Sequence, residues 1–217
     1  AGARADGHDF VEEAFARGAA AALVRRGWTP PPGRPCLVVA DPLAALQAAG
    51  RGQRDSGDWR IVGVTGSAGK STVKEMTACL LERLGPTART RGNFNNAIGL
   101  PLSLLGLEPG RHRFGVFELG SNHPGEIAAL AAALRPDWGI VTNVGPVHVE
   151  AFGDVAGVVR EKRALLEALP RDGLAVLNRD TAGYAELAAA APARRRTASV
   201  GAGPADLVLE AAAAEGN

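Results

Sequence analysis

The sequence predicts an α/β protein: a mostly parallel sheet with helices on both faces, preceded by a small, truncated α/β segment. Three observations predict it. Apolar, β-branched runs at 61–65, 114–119, 139–142 and 174–177 alternate with helical stretches at 71–84, 124–134 and 155–169, which is the rhythm of a parallel sheet. A glycine-rich turn bearing a lysine and a hydroxyl joins the first run to the first helix, as in phosphate-loop folds. The polar, turn-rich Asp55-Ser56-Gly57-Asp58 separates this regular part from what precedes it. Two domains are therefore expected, 1–57 and 58–217.

In the first segment, residues 9–17 read as a short helix stopped by Gly18, and an apolar run at 19–24 follows. Thr29-Pro30-Pro31-Pro32-Gly33 is a loop, and 36–39 a short buried strand. Pro42 opens a helix running to about residue 54. No first strand is evident before them. In the second part, a parallel sheet would bind its ligand in the crevice beyond the carboxyl ends of the strands. The chemistry is thus expected just after each apolar run. The alanine-rich stretches 188–191 and 211–214 read as helix or weakly specified tail.

Composition narrows the function. The 217 residues are 46% hydrophobic and 22% charged, the range of a globular chain with a real core. A net charge of +1 removes the simplest electrostatic case for a nucleic-acid partner or an anionic membrane surface. No apolar run approaches the ~20 residues that span a bilayer. Cys36 and Cys79 lie far apart without metal-type spacing, which points away from a disulfide framework and toward a reducing, cytoplasmic setting. Lysine occurs only at Lys70, Lys74 and Lys162 among 24 basic residues. In a chain this rich in arginine, each lysine raises the question of a role arginine cannot fill.

The strongest motif runs from Ile61-Val62-Gly63-Val64-Thr65 into Gly66-Ser67-Ala68-Gly69-Lys70-Ser71-Thr72 and then a helix. Glycines let successive N–H groups face one point, and the helix start adds partial positive charge. The longer spacing of the standard phosphate loop fails, because its first glycine position holds Val64. The match is to a shorter form, Gly66-x-x-Gly69-Lys70-Ser71. Lys70 is expected on the β- and γ-phosphates of a nucleoside triphosphate, and the Ser71 hydroxyl on magnesium.

Two later strand ends add candidates. Glu118 closes Phe114-Gly115-Val116-Phe117-Glu118, where a carboxylate can hold magnesium beside the phosphate loop. His148 follows Val141-Thr142-Asn143-Val144-Gly145-Pro146-Val147, and Lys162 lies on the helix after it. A protonated lysine repels a metal. Lys162 joins such a site only as a carbamate, formed when its neutral amine takes up carbon dioxide, a reaction closed to arginine.

These motifs resemble those of the Mur ligases, ATP-dependent amide-bond-forming enzymes of peptidoglycan synthesis. The likeness is carried by Thr65 to Met76, by Gly92-Asn93-Phe94-Asn95-Asn96, by Glu118-Leu119-Gly120-Ser121-Asn122-His123 and by Thr142-Asn143-Val144-Gly145-Pro146-Val147-His148. Asp6-Gly7-His8-Asp9-Phe10 resembles part of the family's N-terminal, uridine-binding domain. The resemblance covers roughly residues 6–180. It implies a branch that joins D-alanyl-D-alanine to a UDP-linked muramoyl tripeptide through an acyl phosphate. It also implies roles. Gly66, Ser67, Ala68, Gly69, Lys70, Ser71 and Thr72 would cradle ATP, with Asn178 near the nucleotide. Ser71 and Glu118 would hold one magnesium ion, and His148 with carbamylated Lys162 would help hold a second. Asn95, Asn122 and His123 would lie near the sugar-peptide substrate.

The chain departs from the family pattern in places. Ala164 stands where an acidic residue is common two positions after the modified lysine. The start of the uridine-binding domain, the later part of the central domain and the C-terminal domain are missing, so the chain reads as incomplete at both ends. Two other readings stay open: a sister ligase acting on a different acceptor or on folate, and a nucleotide-binding module without ligase activity. The Asn93–Asn96 motif and Lys74-Glu75-Met76 argue against the sister ligase.

Overall fold

The computed structural model describes residues 6–147, 149–191, 194–199 and 204–208. The chain divides into two compact units, Ala1–Ala49 and Gly50–Asn217. In the first, a 3-10 turn (Gly7–Phe10) leads into α1 (Val11–Ala16), followed by β1 (Ala22–Arg25) and β2 (Cys36–Val39), which pair in parallel. Gly18, at φ +92°, turns the chain out of α1 as its position suggested. Val11, Phe15 and Val24 form the small core. Strand β2 was expected to be buried, but Leu37 and Val38 are exposed within this unit. A two-stranded sheet has too few elements to cover both of its faces.

Helix α2 (Pro42–Asp55) runs through the division between the units. The boundary thus falls inside a helix, not at the polar turn after it. Side chains give the reason. Gly50 lies against Pro101, Gln53 Nε2 donates to the Leu107 carbonyl at 2.6 Å and Arg54 Nε to the Leu134 carbonyl at 3.0 Å. These contacts assign the helix's second half to the larger unit.

That unit continues β3 (Arg60–Thr65), α3 (Lys70–Glu82), β4 (Thr87–Arg89), α4 (Gly99–Leu104), β5 (Phe114–Glu118), α5 (Glu126–Leu134), β6 (Trp138–Val141), α6 (Val149–Phe152), α7 (Val155–Glu167), β7 (Leu174–Asn178), α8 (Tyr184–Ala190), β8 (Arg194–Ser199) and β9 (Leu207–Val208). Among the described residues they form a seven-stranded parallel sheet in the order β4-β5-β3-β6-β7-β8-β9. Each of the four expected strands is present within a residue or so of its predicted limits.

Strand β3 alternates its side chains between two cores. Val62 and Val64 pack with Ala78 of α3, while Ile61 joins Leu130 and Leu134 of α5 and Leu165 of α7. A strand covered on both faces must be apolar at consecutive positions, hence the β-branched run. Strand β8 lacked any such signal. It reads Arg194-Arg195-Arg196-Thr197-Ala198-Ser199, is mostly exposed, and is held by its ladder to β7. Of the alanine-rich stretches, 188–190 is helical and 211–214 lies outside the described residues.

The chain enters the sheet at β3, runs out to the edge as β4, returns as β5 beside β3 and then crosses to β6 on the other side. Where the order reverses, the loops after β3, β5 and β6 part and leave a crevice at the carboxyl ends. Gly66–Thr72, Glu118 and Thr142–Gly145 lie on the segments that follow β3, end β5 and follow β6.

Candidate nucleotide and metal site

Backbone geometry builds the phosphate loop. Gly66 has φ +150°, and a Cβ there would strike the Thr142 hydroxyl. Gly69, at φ +76°, is the left-handed N-cap of α3 and offers no side-chain cap. The first-turn N–H groups of α3 therefore face outward with no carboxylate or hydroxyl from the cap on them. Such a helix end is suited to an anion. No acidic residue occupies this first turn either.

The segment after β6 pins the loop from the other side. Ser67 N donates to the Asn143 carbonyl at 3.0 Å and Ala68 N to Asn143 Oδ1 at 2.8 Å. Thr142 Oγ1 donates to the Ala68 carbonyl at 2.6 Å, and Gly145 N donates to Ser67 Oγ at 3.0 Å. Lys70 Nζ curls back to the Gly66 carbonyl at 2.8 Å. Ser71 and Thr72 follow on the exposed first turn of α3.

Glu118 is 2% exposed. Its Oε2 accepts from Ser71 Oγ at 2.7 Å and its Oε1 from Asn95 Nδ2 at 2.8 Å. Both partners are neutral. A carboxylate withdrawn from water costs several kcal/mol unless a positive charge meets it, so this pair has the chemistry of a cation site. Among the described residues, no three His, Cys, Asp or Glu side chains converge as a metal cluster. A magnesium ion needs only one or two protein oxygens and completes its shell with phosphate and water, and the Ser71–Glu118 pair could offer such oxygens. Asn95, expected near the substrate, is thus bonded to the carboxylate.

Lys162, on α7, is equally buried. Nζ donates to Ser121 Oγ at 2.7 Å and stands 5.8 Å from the Phe152 ring centroid. Burial, and then the charge of Lys70, lowers its pKa to about 8. Next to it in sequence, Glu161 accepts from Gly125 N at 2.7 Å and Ile127 N at 2.8 Å, closing the start of α5. Asn122 and His123, on the loop between, present exposed side chains while their backbone N–H groups donate to Glu126 Oε2 at 2.6 and 3.1 Å. Burial works against it, but these N–H donors hold the Glu126 carboxyl below its ordinary range. Asn178, at the end of β7, lines an apolar cavity of about 490 Å³ with Val73, Ile140 and Thr142. His148 lies outside the described residues.

The sequence reading missed the supports. Ser121 and Asn143 stand inside motifs without an assigned role, Thr90 and Glu161 stand in none, and the partners of Thr90, Ser121, Asn143 and Glu161 lie 28, 41, 75 and 36 positions away in the chain. Position after a predicted strand end was the one available signal, and it applied to Ser121 and Asn143; the strand before Thr90, β4, was itself not predicted.

In unit one, a smaller cavity of about 400 Å³ opens beside β1 and β2, lined in part by Asp6, His8, Arg25 and Asp41. His8 Nδ1 lies 2.6 Å from Asp6 Oδ1, and Nε2 accepts the Arg25 N–H at 2.9 Å. Cys36 and Cys79 are free thiols. Among the described residues, no helix is long and apolar enough to cross a membrane.

Comparison with known proteins agrees with this geometry. The family model described as the Mur ligase middle domain matches residues 64–215. The UDP-N-acetylmuramoyl-tripeptide–D-alanyl-D-alanine ligase of Escherichia coli (strain K12) is 42% identical, over 82% of this chain and 39% of that protein. The structure of MurF from Acinetobacter baumannii superposes with a TM-score of 0.81 at 34% identity, covering 91% of this chain and 44% of that one. MurF ligase from Thermotoga maritima in complex with ADP gives 0.80 at 30% identity, over 94% and 46%. The chain spans about two fifths of the length of the curated relatives it matches. The order of strands, the glycine-lysine loop and the family match over residues 64–215 lead to one assignment: this chain belongs to the Mur ligase family.

Proposed function

We propose that the chain supplies the ATP- and magnesium-binding machinery of a ligase that joins D-alanyl-D-alanine to UDP-N-acetylmuramoyl-tripeptide. The observation that carries this reading is the buried Glu118 bonded to Ser71 at the uncapped start of α3, beside Lys70. The names of the relatives supply the substrates. In the reaction, a carboxylate oxygen of the tripeptide takes the γ-phosphoryl group and ADP leaves. The dipeptide amine then attacks the acyl carbon, phosphate leaves and the amine loses a proton.

The residues here position and neutralise, which is most of what phosphoryl transfer requires. Lys70 and the N–H groups at the start of α3 hold the phosphates. Ser71 and Glu118 would hold magnesium, which when bound offsets the charge on the phosphate oxygens. Lys162 is a cation at low pH, but a pKa of about 8 leaves a usable neutral fraction near pH 7. Its amine can then add carbon dioxide and release a proton, giving an anionic oxygen ligand beside Ser121. The apolar cavity at Asn178 is the candidate pocket for the base of the nucleotide. The cavity at Asp6 and His8 is the candidate contact for the uridine-linked substrate.

Calorimetric titration with magnesium-ATP, followed by phosphate release in the presence of tripeptide and dipeptide substrates, tests the proposal. Binding is expected for this chain, and substrate-dependent phosphate release for a protein spanning the whole length of its relatives. Absence of magnesium-ATP binding would overturn the site assignment. Release stimulated by a different acceptor would overturn the substrate assignment alone.

A further inference from the structure

Of the three lysines, Lys70 and Lys162 have places in the proposed site, and Lys74 has none so far. It lies one turn after Lys70 on α3 and is 2% exposed. Its Nζ donates to the Thr90 carbonyl at 2.8 Å and stands 2.7 Å from Glu75 Oε1. The hydrogen bond from Lys74 is the main cause that holds the Glu75 carboxyl below its ordinary range. Glu75 is in turn tied to Arg89 at 3.0 Å. A buried ammonium is costly unless its charge is met, and this one is met on two sides.

Thr90 links Lys74 to the metal pair. Its backbone N–H donates to the Val116 carbonyl at 3.1 Å, and its buried hydroxyl accepts the Glu118 N–H at 3.1 Å. The Glu118 carboxylate accepts from Ser71 Oγ. Ser71 and Lys74 are three residues apart on α3, so they share one face of the helix. The contacts therefore close a ring: Ser71 to Glu118, Glu118 to Thr90, Thr90 to Lys74, and Lys74 back to Ser71 along the helix. Two separate strand ends and one helix meet in it.

We infer that Lys74 is a positioning residue for the Ser71–Glu118 pair: by tying α3 to Thr90, it sets the spacing between the hydroxyl and the carboxylate. The inference rests on the proposal that this pair holds the magnesium of the nucleotide. Lysine fits the role and arginine does not. A point charge on a slender stem fills a fully buried space beside one carbonyl, where a planar guanidinium would bring further N–H groups needing partners. An otherwise arginine-rich chain thus has a physical reason to keep lysine here.

The test is the magnesium dependence of ATP affinity, measured by calorimetry on the chain and on Lys74→Met and Thr90→Val. Outer-shell partners of a metal site are typically worth 10–100-fold in metal affinity. Lys74→Met should therefore raise the magnesium concentration for half-maximal ATP affinity about tenfold, leaving metal-free ATP binding near the wild-type value. A merely structural lysine would weaken both together, or neither. Thr90→Val removes the hydroxyl that accepts from Glu118 while keeping its shape, and should shift the magnesium midpoint in the same direction. It also serves where Lys74→Met fails to fold. A wild-type magnesium midpoint in folded Lys74→Met or in Thr90→Val overturns the inference. A wild-type chain that binds ATP equally with and without magnesium overturns the metal assignment itself.

Discussion

Lys70 and Lys162 share a crevice and stand in opposite electrostatic situations. Lys70 is partly exposed and rests on the Gly66 carbonyl, ready to trade that contact for phosphate oxygens. Its replacement by alanine removes a charge-assisted contact of about 1.5–3 kcal/mol. ATP affinity measured by calorimetry should fall by about tenfold or more; unchanged affinity would contradict the loop assignment. Lys162 is buried and its pKa of about 8 lies below the ordinary 10.5. The unfolded chain binds this proton more tightly than the folded one, so the buried charge costs stability below pH 8. That cost is relieved as pH rises from about 8 toward 10.5, and its full size is roughly 3 kcal/mol. In urea titrations free of carbon dioxide, Lys162→Met should be more stable than wild type at pH 7, with the gain shrinking as pH rises above about 8. Equal stability at pH 7 would show that the charge is already met. For turnover in a full-length ligase, Lys162→Arg should be as damaging as Lys162→Ala, since guanidinium cannot form a carbamate. Near-normal turnover of the arginine variant would remove carbamylation from the mechanism.

At the scale of elements, the site depends on helix starts held in place by neighbours. Helix α7 begins with Asp154, whose side chain accepts the Gly157 N–H at 2.7 Å, and it then carries Glu161 to the start of α5. The Glu161 carboxylate takes two backbone N–H groups there, where the helix dipole also favours a negative charge. Glu161→Gln keeps the shape but loses the charge and leaves only one good acceptor. We expect a loss of about 1.5–3 kcal/mol in urea unfolding. Faster amide exchange at Gly125 and Ile127 should accompany it. Slow exchange at both would show that α5 starts without help from α7.

For the molecule as a whole, the phosphate loop, Glu118, Lys162 and their supports lie in the unit Gly50–Asn217. Helix α2 contributes its second half to that unit through Gly50, Gln53 and Arg54. A chain starting at Pro42 should therefore keep the magnesium-ATP affinity of the 217-residue chain within about twofold, a difference of roughly 0.4 kcal/mol. It should also gain thermal stability from the nucleotide by the same linkage. A large loss of affinity on this truncation would place part of the site in the first unit. Calorimetry and thermal unfolding with and without nucleotide decide it.

What the sequence determined by itself follows from local physics. The period of apolar runs marked β3, β5, β6 and β7, and the glycines of the loop marked the turn between β3 and α3, because each signal lies within a few consecutive residues. Glu118 was legible because a carboxylate at a strand end stands out against apolar neighbours. Strand β8 was not, since an exposed edge region needs only backbone pairing and places little demand on side chains. The place of the domain boundary was set by side chains of α2 meeting residues 54 to 80 positions further on, which no local pattern records. The same holds for Asn95 on Glu118, Asn143 under the loop and Thr90 between Lys74 and Glu118. Tertiary structure alone decided these, because a hydrogen bond between distant strand ends exists only after the sheet has brought the ends together.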